Sequence, residues 1–196
     1  MTPVRAMAEV GSLPQAAGDQ LSALVLAAQA GQPDAQRKLY LQFAPVVVRL
    51  AHNTTRSSDL AKDVTQDTFI TAFAELQKLK NPEAFKSWLL QIAVSRCRRH
   101  FRTEKLKRML GLDSVGDMPE GPLLADHLRS EARAEVGKAL KVIAKLPFDQ
   151  RSAWLLRHVE EYSLPETAEA LGCSLATVKR WLAAADAHVA VQMEVA

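Results

Sequence analysis

The chain has 196 residues, of which 48% are hydrophobic, 24% charged and 6% aromatic, with a formal net charge of +3. That length holds one ordinary domain or two small ones, and this balance of apolar and charged residues excludes general disorder. No stretch approaches the roughly 18–20 uncharged apolar residues that span a bilayer, and the N-terminus lacks a secretion signal. We therefore expect a cytoplasmic protein without membrane insertion.

The N-terminal part of the sequence predicts a tail followed by two helices. Residues 1–18 combine proline, glycine and small side chains without a helical period, so we expect a mobile tail. A first helix is expected from Asp19, which can cap it, to Gly31, which can adopt the left-handed conformation at a helix end. A second helix begins at Pro33, whose ring suits the first helical position, and Pro45 should kink it.

Two further helices complete a predicted N-terminal domain over residues 19–108. The first of them begins at Ser57 or Ser58 and repeats apolar residues at three- and four-residue spacing. The Asn81-Pro82 pair ends it and starts the next, which finishes in residues 96–108 with seven basic side chains against one acidic one. Such a block is either a solvated face or a surface that neutralises nucleic-acid phosphates.

Glycine and proline punctuate the second half of the chain. Residues 109–122 hold several of each among acidic and small side chains, which predicts a flexible linker. A second helical domain is expected over residues 123–196, interrupted at Pro147 and at Gly172-Cys173. The predicted fold is therefore all-α, with two small helical domains joined by a linker.

The two last helices have the pattern of a helix-turn-helix. Gly172 can take a positive φ at the turn, Ser174 can cap the second helix, and Val178 and Leu182 can seal that helix onto the first. The first turns of the second helix then point side chains towards base edges and phosphates. These candidate DNA contacts are Ser174, Ala176, Thr177, Lys179 and Arg180. The alternative is a helical hairpin that binds no nucleic acid.

A row of carboxylates lies at four-residue spacing on one helix face. Asp59, Asp63 and Asp67 share this face with Gln66. A metal site or a hydrolase would need histidine partners or a facing carboxylate, and neither is evident. We therefore expect no catalytic residues, no metal and no cofactor, and the residues alone indicate an exposed polar face.

The two cysteines do not form a recognisable pair. Cys97 and Cys173 lack the spacing of a disulfide framework or a zinc site, so we expect reduced thiols.

Three motifs in order resemble a known family. They are Asp59 to Phe69 (DLAKDVTQDTF), Trp88 to Ala93 (WLLQIA) and the helix-turn-helix. In this order they resemble the RNA polymerase sigma factors of the extracytoplasmic-function (ECF) class within the sigma-70 family. The resemblance spans residues 27–102 and 146–179. It implies a factor that binds core RNA polymerase and promoter DNA and directs transcription initiation, without being an enzyme, and it implies an anti-sigma partner.

The resemblance also implies a role for each group of residues. Polymerase docking would use the carboxylate face and its neighbour: Asp59, Asp63, Gln66, Asp67 and Phe69. Phe69 could equally be a core residue. The −10 element would be read around the Asn81-Pro82 break and along the basic helix, by Lys80, Asn81, Phe85, Lys86, Arg96, Arg98, Arg99 and Arg102. The −35 element would be read by the helix-turn-helix residues named above.

One departure and one alternative remain open. The family usually has further arginines after Lys179 and Arg180, whereas this chain continues with Trp181 and small residues to Asp186. Fewer arginines would weaken phosphate binding by this helix. Recognition of the −35 element would then depend on polymerase, which holds the helix near the DNA and so raises its effective concentration there. The alternative function is a stand-alone helix-turn-helix regulator that acts as a dimer without core polymerase.

Overall fold

A computed structural model describes residues 15–110, 123 and 130–194 of the chain. Within these residues there are eight α-helices and no strand, in agreement with the all-α prediction. The helices are α1 (Gln15–Gln29), α2 (Pro33–Thr55), α3 (Ser58–Glu75), α4 (Phe85–Met109), α5 (Ser130–Ile143), α6 (Phe148–Trp154), α7 (Leu164–Leu171) and α8 (Leu175–Glu194). Residues 1–14 of the expected tail (1–18) and residues 111–122 of the expected linker (109–122) lie outside the described residues. Residues 15–18 belong to α1, and Met109 is the last residue of α4.

Most helix ends follow the capping residues that the sequence offers. Gly31 has φ +81° after α1, and Pro33 occupies the start of α2. The Ser57 hydroxyl accepts a hydrogen bond from the Leu60 N–H at 3.3 Å and caps α3. The predicted start of α1 was wrong, because the helix begins at Gln15 and Asp19 lies within it. Gln15, Ala16 and Ala17 favour helix, and the helix continues through Gly18 into Asp19.

Helix α2 is unbroken through Pro45 and ends in a left-handed residue that is not glycine. Arg56 has φ +61°, and its N–H donates to the His52 carbonyl at 2.7 Å. An arginine in this position is not a recognisable helix-end signal, so the sequence does not predict this end.

The N-terminal helices enclose an apolar cluster of their own. Tyr40 of α2 packs against Phe69 of α3 with ring centroids 4.8 Å apart, and Phe43 packs against Phe85 of α4 at 5.4 Å. This cluster lies between α1, α2, α3 and α4. Its buried members are Val25, Ala28, Ala35, Leu39, Phe43, Ala44, Val47, Phe69, Ala72, Leu76, Phe85, Leu89 and Ala93.

A second apolar cluster joins the two halves of the chain. It combines residues of α2, α3 and α4, among them Leu50, Val64 and Cys97, with the buried side of α5 to α8, including Trp154 and Val178. The helices on either side of the linker therefore pack against each other. None of the helices in the described part of the chain is both long and apolar enough to cross a membrane.

The two thiols differ in burial, and we expect them to differ in reactivity. Burial raises the pKa of the Cys97 thiol to about 11. Burial and the nearby Asp149 also raise the pKa of the Cys173 thiol, but this residue at the helix-turn-helix is only half-buried and a reagent can reach it. Only a thiolate attacks a disulfide reagent, so at pH 8 Cys97 is both protonated and covered. Ellman's reagent should therefore titrate one thiol of the native protein rapidly and the second only on unfolding. Two rapid thiols in the native protein would contradict the packing of Cys97.

Candidate nucleic-acid and polymerase interfaces

The predicted carboxylate row forms an exposed face of α3. Asp59, Asp63, Gln66 and Asp67 are all exposed, and the opposite side of the helix is buried. Asp59 of this row forms an ion pair with Lys62, whose Nζ lies 3.2 Å from an oxygen of the Asp59 carboxylate. An exposed pair of this kind contributes little stability, so the face keeps a net negative charge available to a partner.

Phe69 lies under the acidic face rather than on it. Its side chain is 3% exposed and packs against Tyr40 and Phe73. Phe69 is therefore a core residue, which was the alternative in the sequence analysis, and its predicted role as a polymerase contact is corrected. Ile70 was not among the predicted contact residues, but it is 60% exposed three positions after Asp67 and adds an apolar side chain to this face.

The loop before α4 presents polar residues, and the first residue of the helix is core. Lys80 and Asn81 are exposed, and the Asn81 side-chain oxygen accepts from the Glu83 N–H at 3.1 Å, which caps the turn at Pro82–Ala84. Phe85 is fully buried against Phe43, so it cannot contact a DNA strand while α4 is packed. Its place among the −10 contacts is corrected accordingly.

Three basic side chains of α4 contact other parts of the protein. Arg96 donates to the Thr71 hydroxyl of α3 at 2.8 Å. Arg98 Nη2 lies 2.9 Å from an Asp149 oxygen of α6. Lys86 Nζ lies 3.1 Å from a Glu166 oxygen of α7 and 3.7 Å from the ring centre of Tyr162. The sequence could not predict these contacts, because each joins residues distant in the chain.

The other two predicted arginines of α4 face solvent. Arg99 and Arg102 are exposed, and with Ser95, Arg98 and Thr103 they line an open polar pocket on the surface of the helix. The two residues are three positions apart on α4 and so share one face of the helix, where both charges are available to phosphates.

The helix-turn-helix has the geometry that its sequence predicts. Gly172 has φ +65°, and Val178 and Leu182 are buried. A capping box opens α7, since the Ser163 hydroxyl accepts from the Glu166 N–H while the Glu166 carboxylate accepts from the Ser163 N–H. The Ser-x-x-Glu signature of residues 163–166 is the sequence signal for this helix start.

Glu166 is held in its charged form by this arrangement. Burial alone would raise the pKa of the Glu166 carboxyl, but hydrogen bonds from Ser163 and the nearby Lys86 ammonium together lower it below its ordinary value. The Lys86–Glu166 contact is therefore present at neutral pH and is lost as the pH falls through that lowered pKa.

The first turns of α8 divide into a cap and an exposed surface. The Ser174 hydroxyl accepts from the Thr177 N–H at 3.2 Å and lies 2.9 Å from the Thr177 hydroxyl, so both side chains serve the cap. Ala176, Lys179 and Arg180 are exposed on the outer side. Ser174 is exposed as well, so Thr177 alone of the predicted −35 residues is partly buried, and the other four are open to a duplex.

Asp186 has a structural role in the last helix, where the family usually has further arginines. Its carboxylate accepts a hydrogen bond from Trp154 Nε1 at 3.1 Å and lies 3.1 Å from His158 Nε2. The side chain that interrupts the expected run of arginines thus fixes α8 to α6. Among the residues that the structure describes, no group of three or more His, Cys, Asp or Glu side chains is placed to hold a metal ion.

Family models match both halves of the chain. Sigma-70 region 2 matches residues 39–107, and Sigma-70 region 4 matches residues 137–188. The chain is also 30% identical to the ECF RNA polymerase sigma factor SigM of Mycobacterium tuberculosis over 170 residues, which cover 85% of this chain and 81% of SigM. This chain belongs to the ECF class of RNA polymerase sigma factors.

Other relatives and solved structures agree with this family. The sigma factor is 26% identical to CnrH of Cupriavidus metallidurans over 178 residues, which cover 87% of this chain and 93% of CnrH. Its fold is similar to that of CnrH solved in complex with the cytosolic domain of CnrY, with a TM-score of 0.67, 22% identity, and coverage of 89% of this chain and 97% of that one. It is also similar to RpoE of Bartonella quintana in complex with NepR, with a TM-score of 0.63, 21% identity, and coverage of 81% and 96%.

These findings confirm the predicted fold class and function. Members of the family are transcription initiation factors, and this sigma factor directs RNA polymerase to promoters. The comparisons give no support to the stand-alone regulator. The domain boundaries and the roles of individual residues stay predictions.

Proposed function

We propose that this sigma factor docks on core RNA polymerase through the acidic face of α3, defined by Asp59, Asp63, Gln66 and Asp67. The observation that carries the proposal is the continuous exposure of this face above a packed core. The sigma factor then reads the −10 element with α4 and the loop before it, and the −35 element with the outer side of α8. It acts in the cytoplasm, and the chemistry of RNA synthesis belongs to the polymerase.

We expect Asp63→Asn with Asp67→Asn to weaken binding to core polymerase by about tenfold to a hundredfold, because two charges of a complementary interface are lost. The substitutions keep the side-chain size and leave the buried side of α3 unchanged. Binding is measured by fluorescence anisotropy of the labelled sigma factor titrated with core polymerase.

The matched control for this double variant is Asp19→Asn with Glu169→Gln. It makes the same charge change at two exposed positions outside α3. An affinity equal to that of the control would remove polymerase docking from this face.

The DNA side of the proposal predicts a change in salt dependence. Arg99→Gln with Arg102→Gln should lower the slope of log K against log salt for promoter fragments by about 2, since each lost phosphate contact removes roughly 0.9 of slope. The measurement uses the complex with core polymerase at several salt concentrations. Lys138→Gln with Lys141→Gln removes two exposed charges from α5 and serves as the control. An identical slope for both double variants would place Arg99 and Arg102 away from the DNA.

We also propose that an anti-sigma protein holds this factor inactive. Two of its structural neighbours, CnrH and RpoE, were solved with CnrY and with the anti-sigma factor NepR respectively. A partner of this kind should compete with core polymerase in the anisotropy titration. A bound partner that leaves that titration unchanged would exclude the anti-sigma role.

A further inference from the structure

The outer side of α8 offers very few side chains that could hydrogen-bond to a base. The side that packs on the protein is marked by the buried residues Val178, Leu182, Ala185 and Val189. With about 3.6 residues per turn, the opposite side of the first turns consists of Ala176, Arg180, Ala183 and Ala184. All four are exposed, and three of them are alanines. Arg180 is therefore the only hydrogen-bonding side chain at the centre of the outer side.

Lys179, the neighbouring cation, lies at the edge of the outer side. Residues three and four positions apart share a helix face. Lys179 is aligned in this way with Leu175, which is 41% exposed, and with Leu182, which is buried. The residues at the same spacing from Arg180 are all exposed, namely Ala176, Ala183 and Ala184. The Arg180 side chain thus leaves the helix away from the protein, whereas Lys179 leaves it at one flank.

Both cations are available to a ligand, whereas the hydroxyls beside them are engaged. Within the described residues, no ion pair or side-chain hydrogen bond involves Lys179 or Arg180. The Ser174 hydroxyl accepts from the Thr177 N–H and lies 2.9 Å from the Thr177 hydroxyl, which holds both groups at the helix start. Arg180 is therefore left as the donor that faces outwards.

The chemistry of the outer side suits the major groove of DNA. Alanine side chains are short, so they let the helix backbone approach the base edges closely. A guanidinium fork then matches the O6 and N7 acceptors of guanine, which is the commonest specific contact between a side chain and a base. A lysine ammonium is a point charge on a flexible stem and needs no such geometry to bind a phosphate.

We propose that Arg180 is the one residue of α8 that reads a base by hydrogen bonds, that this base is a guanine of the −35 element, and that Lys179 binds the DNA backbone. The proposal rests on the proposed function of α8. Ala176, Ala183 and Ala184 offer neighbouring bases only methyl contacts. The −35 element should therefore contain one strongly selected guanine, with weaker selection at the positions beside it.

The test uses the complex of the full-length sigma factor with core polymerase and a promoter identified by run-off transcription. The probes are fluorescein-labelled duplexes of that promoter in which the guanines of the −35 region, on either strand, are replaced one at a time by 7-deazaguanine. This base keeps its Watson–Crick pairing and lacks only the N7 acceptor. Affinities are measured by anisotropy for the wild type, Arg180→Ala and the matched variant Lys179→Ala.

We expect 7-deazaguanine at one position to weaken binding of the wild type about tenfold, since one of two charge-assisted hydrogen bonds is lost. Arg180→Ala should bind that duplex and the unmodified one equally. Lys179→Ala should weaken binding to every duplex alike, keep the tenfold preference and lower the salt slope by roughly 0.9.

Three results would overturn the assignment of Arg180. They are a wild type that is indifferent to every modified guanine, an Arg180→Ala variant that keeps the preference of the wild type, and promoters that share no guanine in the −35 region. Both substituted side chains are exposed, so helix content and Tm should stay at the wild-type values.

A duplex with a scrambled −35 region separates this proposal from the proposed function. If scrambling leaves the affinity of the wild-type complex unchanged, the proposed reading of the −35 element by α8 is wrong. If scrambling weakens binding while 7-deazaguanine has no effect, only the guanine contact of Arg180 is overturned.

Discussion

Arg151→Met is expected to lower the free energy of unfolding by about 3 kcal/mol, since it removes charge-assisted hydrogen bonds to backbone carbonyls that stay buried. The Arg151 guanidinium donates to the carbonyls of Thr54 at 2.8 Å and Leu146 at 3.1 Å, and also to that of Ala144. One side chain thereby satisfies carbonyl groups at the ends of α2 and α5. Methionine keeps an unbranched side chain that can pack along the arginine stem, but it is shorter and offers no donor.

For a chain of this size the loss corresponds to a decrease in Tm of about 6–12 °C in a thermal scan. Arg37→Met is the control, because Arg37 is exposed on α2. Arg151→Lys should recover only part of the loss, since an ammonium cannot reach several carbonyls in the plane of a guanidinium. A Tm for Arg151→Met equal to that of the control would contradict the bridging role of this residue.

Trp154→Ala is expected to lower the free energy of unfolding by about 4 kcal/mol, within the range for truncating a buried aromatic residue. Trp154 is 1% exposed, packs against the His158 ring with ring centroids 4.9 Å apart and the planes tilted by 42°, and donates its indole N–H to Asp186. It therefore fixes α8 to α6. Trp154→Phe keeps an aromatic ring but loses the hydrogen bond to Asp186, so it should lower the free energy of unfolding by about 1 kcal/mol.

The functional outcome of Trp154→Ala separates the two halves of the protein. The variant should lose binding to duplex DNA of the −35 type, while the acidic face of α3 is still supported by Phe69 and Ala72 of the other apolar cluster. Polymerase binding should thus decrease less than promoter recognition. Loss of both activities to the same extent would contradict this separation.

The local parts of the fold could be predicted because they depend on neighbouring residues. Gly31, Pro33, Ser57 and Gly172 mark helix ends through their own backbone and side-chain chemistry, and the structure places each at such an end. The helix-turn-helix follows for the same reason. The spacing of the α3 carboxylates also fixes their common face whatever the rest of the chain does.

The contacts between the halves could not be predicted in this way. Lys86 and Arg98 belong to a basic block that the sequence presents as a solvated or phosphate-binding face, and their carboxylate partners lie 80 and 51 residues further along the chain. Phe69 and Phe85 show the opposite difficulty. Each lies within a motif associated with function, yet the three-dimensional packing of α2 against α3 and α4 buries both.

The most direct test of promoter-directed initiation is run-off transcription by core RNA polymerase on genomic fragments, with and without this protein. The account predicts discrete transcripts that appear only with the protein and are lost with Asp63→Asn and Asp67→Asn. Their start sites should lie downstream of a shared pair of −10 and −35 sequences. If core polymerase that is active on nonspecific templates gains no new start site from the folded protein, the account is contradicted.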